Sequence, residues 1–289
     1  MKRIDFIKRT VLGSAGIVAT GLSLSAFSKK RSTHTQLMKG VGFNHLPPKN
    51  DKKMNTVLHK AATRGEANHG WLKSKHTFSF ANYYNPERMH FGVLRVLNDD
   101  FVEASKGFSR HSHDNMEIIS IPLSGGLEHK DSMGNIGIIR KGDVQVMSAG
   151  TGVFHSEYNK NDDQPVQFLQ IWIFPNQKNV KPRYDQITLN LDQSKNKWNQ
   201  ILSPNPEDEG VWIHQNAWFH IGEFNKTHTV DYTIKRKENG VYIFVLEGKI
   251  KVEDTVLEKR DGFGIWNTEK INIMAEKGAK VLLIDVPME

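Results

Sequence analysis

The chain has no cysteine among its 289 residues. This absence excludes disulfide bonds, thiolate nucleophiles, iron–sulfur clusters held by thiolates and zinc sites built from cysteine. It also excludes a lipoprotein, because there is no cysteine to acylate. Any metal in this protein must therefore be held by histidine and carboxylate side chains.

A basic surface for nucleic acid is also lacking once the charge is divided along the chain. The formal net charge is +7, but residues 1–53 carry 11 Lys and Arg against 2 Asp and Glu. The remainder carries 28 basic against 30 acidic residues. A slightly acidic body behind a basic leader has no electrostatic footprint for DNA or RNA, so no nucleic-acid partner is expected.

The basic excess belongs to an N-terminal segment, 1–28, that is typical of an export leader. Lysines and arginines precede an apolar stretch from Val11 to Phe27, and small residues follow where a signal peptidase could cut. The start resembles a twin-arginine leader, with Ile4 where the second arginine would be. We therefore expect an exported, periplasmic protein, by that route or by Sec. An uncleaved membrane anchor is the alternative, although about 17 weakly apolar residues are marginal for spanning a bilayer.

The body is predicted to be all-β and divided into two barrels. Residues 29–53 lack periodicity and form a predicted linker. Short apolar runs such as "MEIISIPL" and "VQFLQIWIF", separated by turn residues, predict a first barrel over 54–180. The polar stretch 176–210 is expected to connect the barrels. Similar runs such as "GVYIFVLEGKIKV" predict a second barrel over 181–289.

Two separated histidine pairs suggest where chemistry occurs. Side chains alternate along a strand, so His111 and His113 project to one face, and Glu117 shares their parity. About forty residues later His155 and Glu157 form a second pair on one face. Glycines immediately before this pair allow the sharp turn that would bring it into the barrel. Three imidazoles and a carboxylate would suit one divalent metal with open positions.

The residues of this region resemble the pirin family of bicupins, in its bacterial quercetin 2,3-dioxygenase-like branch. The resemblance rests on the H-x-H pair, on "HKDSMGN", on "GDVQVMSAGTG" and on "HSE", and it continues through "VKPRYDQ" and "VWIHQNAWFH". It covers roughly residues 54–289. It implies two cupin-type barrels, of which the N-terminal one binds metal and the C-terminal one is degenerate.

The resemblance also implies a site and an activity. The metal would be held by His111, His113, His155 and Glu157, and it is most often iron in this family; zinc, manganese, nickel and copper are alternatives. In many cupins the ligand carboxylate would match Glu117, whereas the pirin pattern uses the carboxylate of "HSE". Glu117 is therefore expected beside the metal ligands. The implied activity opens a flavonol such as quercetin with O2, with Glu157 or a neighbour taking the proton of the enol.

Other polar and aromatic residues are interpreted as structural. We expect a turn from His129, Asp131 and Asn135, and core or surface positions for the three histidines of the second half. These are His214, His220 and His228. Phe154 and four tryptophans are expected in the core, although one or two tryptophans could line a pocket for a flat substrate. The tryptophans are Trp172, Trp212, Trp218 and Trp266.

Two function classes are compatible with these residues. The first is an oxygenase that takes a small planar aromatic substrate and O2, acts as a monomer, and meets a membrane only through an uncleaved leader. The second is a non-catalytic metal-binding or redox-sensing protein that acts through a protein partner.

Overall fold

A computed structural model of the chain describes residues 53–190 and 195–289. The predicted leader, and the predicted linker up to residue 52, lie outside the described residues. Within these two ranges, no helix is long and apolar enough to cross a membrane. The secondary structure there is one short 3-10 helix, Ala61–Thr63, and a series of β-strands.

Apolar residues alternate with polar ones along some strands and run continuously along others. The first pattern is typical of half-buried strands and the second of fully buried ones. In chain order they are β1 Asn55–His59, β2 Gly65–Asn68, β3 Leu72–His76, β4 Leu94–Val102, β5 Gly107–His113, β6 Glu117–Ser124, β7 Gly126–Asp131, β8 Ile136–Arg140, β9 Asp143–Ser148, β10 Val153–Asn159, β11 Val166–Ile173, β12 Arg183–Thr188, β13 Trp198–Ser203, β14 Val211–Trp212, β15 Trp218–Glu223, β16 His228–Thr233, β17 Asn239–Glu247, β18 Lys249–Val252, β19 Thr255–Glu258, β20 Gly262–Trp266, β21 Lys270–Ala275 and β22 Lys280–Pro287. The all-β prediction is confirmed.

The strands form two barrels with the same strand order. The first combines a seven-stranded sheet, β12-β9-β6-β11-β4-β3-β2, with a four-stranded sheet, β5-β10-β7-β8. The second combines β1-β20-β17-β22-β15-β13-β14 with β16-β21-β18-β19. When the sheets are compared in this order, each strand of one barrel has an equivalent in the other. For example, β11 corresponds to β22, and β10 corresponds to β21. The prediction of two cupin-type barrels is confirmed.

Two strands cross the division that the sequence suggested. β1, at the start of the predicted first barrel, pairs with β20 in the second barrel's sheet. β12, beyond residue 181, pairs with β9 in the first barrel's sheet. The stretch 176–210 is therefore more than a connection, because it contains β12 and β13. The proposed boundary between 180 and 181 stays a prediction.

The apolar core is unevenly divided between the barrels. One large cluster packs the two seven-stranded sheets against each other, with members such as Leu97, Ile171, Phe219 and Leu282. A second cluster fills the second barrel. In the first barrel only two small apolar clusters are present among the described residues, one around Phe168 and one around Met147. The interior of the first barrel is therefore free to carry polar side chains.

Candidate metal centre

Three of the predicted ligands meet in the first barrel. His111 and His113 lie on β5, which pairs antiparallel with β10 so that His111 is opposite His155. One ring nitrogen from each histidine lies within 4.8 Å of the other two. His155 is buried, whereas His111 and His113 are half-buried. The cluster is accordingly anchored in the barrel and open on its β5 side.

The hydrogen bonds of the cluster suit metal coordination. His111 Nδ1 lies 2.8 Å from the carbonyl oxygen of Ser109, so Nδ1 carries the proton and Nε2 is left as a possible ligand. Both ring nitrogens of His155 are buried without a hydrogen-bond partner among the described residues. An unpartnered buried imidazole is costly unless something binds it. A metal ion would satisfy it.

Burial also keeps His155 in the neutral form that a ligand requires. Its pKa is lowered to about 2, first by desolvation and then by the neighbouring His111 and His129, while Asp131 acts in the opposite direction. A proton therefore does not compete for this imidazole at ordinary pH.

The glycines before β10 form the expected turn. Gly150 has φ +47° and Gly152 has φ +128°, in the region that favours glycine. The amide of Gly152 donates to the carbonyl oxygen of Ala149 at 2.8 Å, and the amide of Thr151 donates to that of Val180 at 3.0 Å. This turn brings β10 back beside β5.

Glu157 is buried on the same strand but is not a member of the three-histidine cluster. A bulge between His155 and Glu157 shifts the register, and Glu157 lies opposite His129 of β7. Its Oε1 accepts a hydrogen bond of 2.9 Å from Gln170 Nε2 on the facing sheet. The side chain therefore points into the barrel, and its role as a fourth ligand stays a prediction.

Glu117 does not share a strand face with the histidines, because the chain turns between β5 and β6. Asn115 in that turn has φ +44°. Glu117 begins β6, is 1% exposed, and accepts a hydrogen bond of 2.7 Å from Ser148 Oγ. Burial raises its pKa to about 7, opposed by Ser148, Arg183 and the backbone of His214. The parity argument for Glu117 was wrong, since it assumed one continuous strand.

His129 has a different position from the one predicted. Asp131 and Asn135 form the expected turn, since Asp131 Oδ1 accepts from the amides of Met133 and Asn135. His129, however, is buried on β7 with its ring 5.4 Å from that of His155, and its Nε2 lies 3.2 Å from Asp131 Oδ2. It also stacks on Tyr184 at 4.8 Å. The register of β7 against β10, which the sequence does not reveal, places it beside the cluster.

Aromatic side chains border the cluster on one side. Trp172 packs edge-on against His113, with ring centroids 4.9 Å apart, and against Phe80 at 5.4 Å. Of the four tryptophans, Trp172 is the one beside His113, and its role in lining a pocket stays a prediction. All four tryptophans are half-buried. Trp266 packs against the large core cluster, while Trp212 lies under the guanidinium of Arg183 at 3.9 Å.

Phe154 was expected in the core, and that prediction was wrong. Phe154 lies on the opposite face of the four-stranded sheet from His155, as expected, but that face is the outer surface of the barrel. Phe154 is 45% exposed, with the guanidinium of Arg110 4.2 Å above its ring.

The second barrel has no equivalent cluster among its described residues. The buried positions of β21, the equivalent of β10, are Ile271, Ile273 and Ala275. His220 is buried against the hydroxyl of Tyr232, and His214 and His228 are half-buried. These positions agree with core or surface roles.

Two cupin-type barrels, one of them with a histidine cluster, define a bicupin, and comparison with known proteins gives the family. A model described as pirin matches residues 56–173, and one described as the quercetinase C-terminal cupin domain matches residues 200–286. The chain belongs to the pirin family.

Individual relatives agree with this assignment. The chain is 42% identical over 234 residues to a protein of Escherichia coli K12 named quercetin 2,3-dioxygenase, covering 80% of this chain and 98% of the relative. It is 36% identical to a pirin-like protein of Caulobacter vibrioides over 76% of this chain and 95% of the relative. The crystal structure of the bacterial pirin YhhW from E. coli in complex with nickel(II) superposes with a TM-score of 0.77 at 40% identity, covering 81% of this chain and all of that one.

Proposed function

We propose that this protein is a metal-dependent oxygenase that opens a flavonol such as quercetin, or a related planar enol or phenol, with O2. The observation that carries the proposal is the cluster of His111, His113 and His155, in which both nitrogens of His155 are buried and have no partner in the part of the chain that the structure describes. The 42% identity to a protein named quercetin 2,3-dioxygenase supports the reaction class.

The residues present fit one divalent transition metal. Imidazole suits iron, nickel, copper and zinc, and an added carboxylate suits manganese as well. We propose iron(II), with Glu157 as the fourth ligand. The nickel(II) complex of the similar E. coli pirin supports a divalent ion in a barrel of this kind. When bound, the metal would act as a Lewis acid toward the enol oxygen and would allow reaction with O2.

The chain's own residues would orient the substrate and move its proton. Trp172 and Phe80 offer an apolar surface beside His113, against which an aromatic ring could pack. Glu157 is buried two residues from His155, so one of its carboxylate oxygens would accept the proton of the enol hydroxyl. Burial of His155 and Glu157 would limit access of water from within the barrel.

Oxygen uptake tests the proposal. Iron-loaded protein should consume O2 with quercetin, and His113→Ala should lose this activity. His228→Ala is the matched control, because His228 is a half-buried histidine of the second barrel. Equal uptake by the wild type and His113→Ala would contradict the proposal.

A protein partner is the second candidate, favoured by the surface outside the cluster. Phe154, Tyr158 and Ile136 are 45%, 39% and 71% exposed on strands of the four-stranded sheet. The pairing registers place all three on the outer face of this sheet, where a partner could contact them. Stoichiometric metal binding without any oxygen uptake on planar phenols would favour this candidate over the oxygenase.

We also propose that residues 1–28 direct export to the periplasm. The pirin match begins only at residue 56, and the E. coli relative matches over 98% of its own length but 80% of this chain, which supports an additional N-terminal segment here. Cell fractionation and the N-terminal residue of the mature protein test this. Cytoplasmic protein that begins at Met1 would contradict it.

A further inference from the structure

A row of polar side chains crosses the seven-stranded sheet of the first barrel. The pairing registers place six residues side by side on six consecutive strands. From β3 to β12 they are His76, Asn98, Gln170, Ser120, Gln145 and Gln186. The first five are each at most 7% exposed. Cross-strand neighbours share a face, and Gln170 reaches Glu157 on the opposite sheet, so this face is the barrel interior.

The second barrel shows that the fold does not need polar side chains on the central strands of such a row, although it has Gln200 and His220 at the positions of His76 and Asn98. The equivalent residues on its three central strands are Leu283, Ile243 and Phe263, which pair in the same pattern and are buried in the apolar core. Leu283 occupies the position of Gln170. The barrel that carries the histidine cluster thus has amides and a hydroxyl where the barrel without it has hydrocarbon. A buried polar side chain is costly unless it is hydrogen-bonded, so the difference requires a reason.

The hydrogen bonds of Gln170 indicate that reason. Its Nε2 donates to Glu157 Oε1 at 2.9 Å, and its Oε1 accepts from Ser120 Oγ at 3.4 Å. A carboxylate can only accept, so Nε2 must face Glu157 and Oε1 must face the Ser120 hydroxyl, which fixes the orientation of the amide. Glu157 is 3% exposed and Ser120 is fully buried. In such surroundings each bond restricts the groups it joins more strongly than it would in water.

We infer that Gln170 is a positioning residue for Glu157, held in turn by Ser120. By donating to one carboxylate oxygen, Gln170 sets the rotation of the carboxylate and leaves Oε2 for the metal or for the substrate's proton. The inference rests on the proposed function, in which Glu157 serves the metal site. Residues that orient a metal ligand typically change metal affinity about 10–100-fold when they are removed.

Cobalt(II) titration of the full-length protein tests the inference. Gln170→Met removes the donor at similar volume, and we expect the dissociation constant for cobalt(II) to rise about 10–100-fold. We also expect the visible absorption spectrum of the bound ion to change, which a purely structural role would not cause. Ser120→Ala, a milder change that removes only the support of Gln170, should shift the spectrum in the same direction by a smaller amount. It keeps the test available if Gln170→Met does not fold.

Gln167→Met is the matched control. Gln167 lies on the same strand, and its Nε2 also donates to a carboxylate, that of Asp99, at 2.8 Å. It lies an odd number of residues from Gln170 and points away from the cluster, so affinity and spectrum should stay those of the wild type. A wild type that binds one cobalt(II), with folded Gln170→Met or Ser120→Ala identical to it, would overturn the inference alone. A wild type that binds none would instead contradict the proposed function.

Discussion

The rings of His111 and His155 lie 4.3 Å apart on paired residues of β5 and β10. This contact joins two segments that are more than forty residues apart in the chain. His111 has a hydrogen bond that selects its tautomer, through the carbonyl of Ser109, whereas His155 has none among the described residues. His155 is therefore the residue whose substitution most directly separates metal binding from stability.

We expect His155→Leu to abolish stabilisation by metal without destabilising the metal-free protein. Within residues 53–190 and 195–289 the substitution removes no hydrogen bond, and it eliminates two buried ring nitrogens that have no partner there, so the metal-free variant should be as stable as the wild type or more stable by about 1 kcal/mol. Nickel(II) at about 100 times its dissociation constant should stabilise the wild type by about 2.7 kcal/mol and the variant not at all. Thermal unfolding with and without nickel(II) measures both effects. Equal stabilisation of both proteins would show that His155 is not a ligand.

A second prediction concerns pH and Glu117. Burial raises the pKa of this carboxyl to about 7, from 4.5 when unfolded. The folded state then holds the proton more tightly, so this contribution to stability is complete below pH 4.5 and is lost as the pH rises through 7. Glu117→Gln cannot ionise and should be more stable than the wild type at pH 8, by about 1–3 kcal/mol, and similar to it at pH 4.5.

Denaturant unfolding at the two pH values checks this. Glu128→Gln is the control, since Lys130 and Lys160 pair with Glu128 near the surface and lower its pKa. It should give no gain at pH 8. A Glu117→Gln difference that does not vary with pH would mean that burial does not raise the pKa of Glu117.

Much of the fold and of the cluster could be predicted from the sequence because both depend on local patterns. Alternating apolar runs specify strands, and the H-x-H spacing places His111 and His113 on one face of β5. The second pair of predicted ligands is local in the same way, on β10. Short apolar runs separated by turn residues were sufficient to propose two barrels.

What could not be predicted depends on the register between distant strands. His129 lies beside His155 because β7 pairs with β10, and Gln170 reaches Glu157 because two sheets face each other. Phe154 was predicted in the core because the alternation of side chains along a strand identifies its two faces but does not show which face is exposed to solvent. The exchange of β1 and β12 between the barrels likewise has no signal in either strand alone.

A third prediction concerns the contact between Arg183 and Trp212. The guanidinium lies 3.9 Å from the indole ring and donates to the Trp212 carbonyl oxygen at 2.6 Å, which ties β12 of the first barrel to β14 of the second. A lysine keeps the charge but loses the planar group that stacks and donates at once. We expect Arg183→Lys to lower the free energy of unfolding by about 1–2 kcal/mol.

Arg110→Lys is the comparison, because Arg110 stacks on the exposed Phe154 without a tie between barrels. An exposed contact of this kind contributes about 0.5–1 kcal/mol at most. Chemical denaturation of the two variants measures the difference. A loss for Arg110→Lys equal to that for Arg183→Lys would mean that the contact with Trp212 adds nothing to stability.

The last prediction concerns the turn that leads into β10. Gly150 has φ +47°, and a Cβ there would lie 2.0 Å from the carbonyl oxygen of Val180, which already accepts the amide of Thr151. Gly142 also has positive φ, +97°, but a Cβ there would meet nothing within 4 Å. Both alanine variants bear backbone strain of about 1–3 kcal/mol, whereas only Gly150→Ala must also move a neighbouring backbone. Gly150→Ala should therefore be the less stable variant.

Gly150→Ala should also bind nickel(II) more weakly, because the displaced turn positions His155, while Gly142→Ala should bind nickel(II) as the wild type does. Unfolding and nickel(II) titrations on the two variants decide this, and equal metal affinity in both would mean that the turn does not position the ligand.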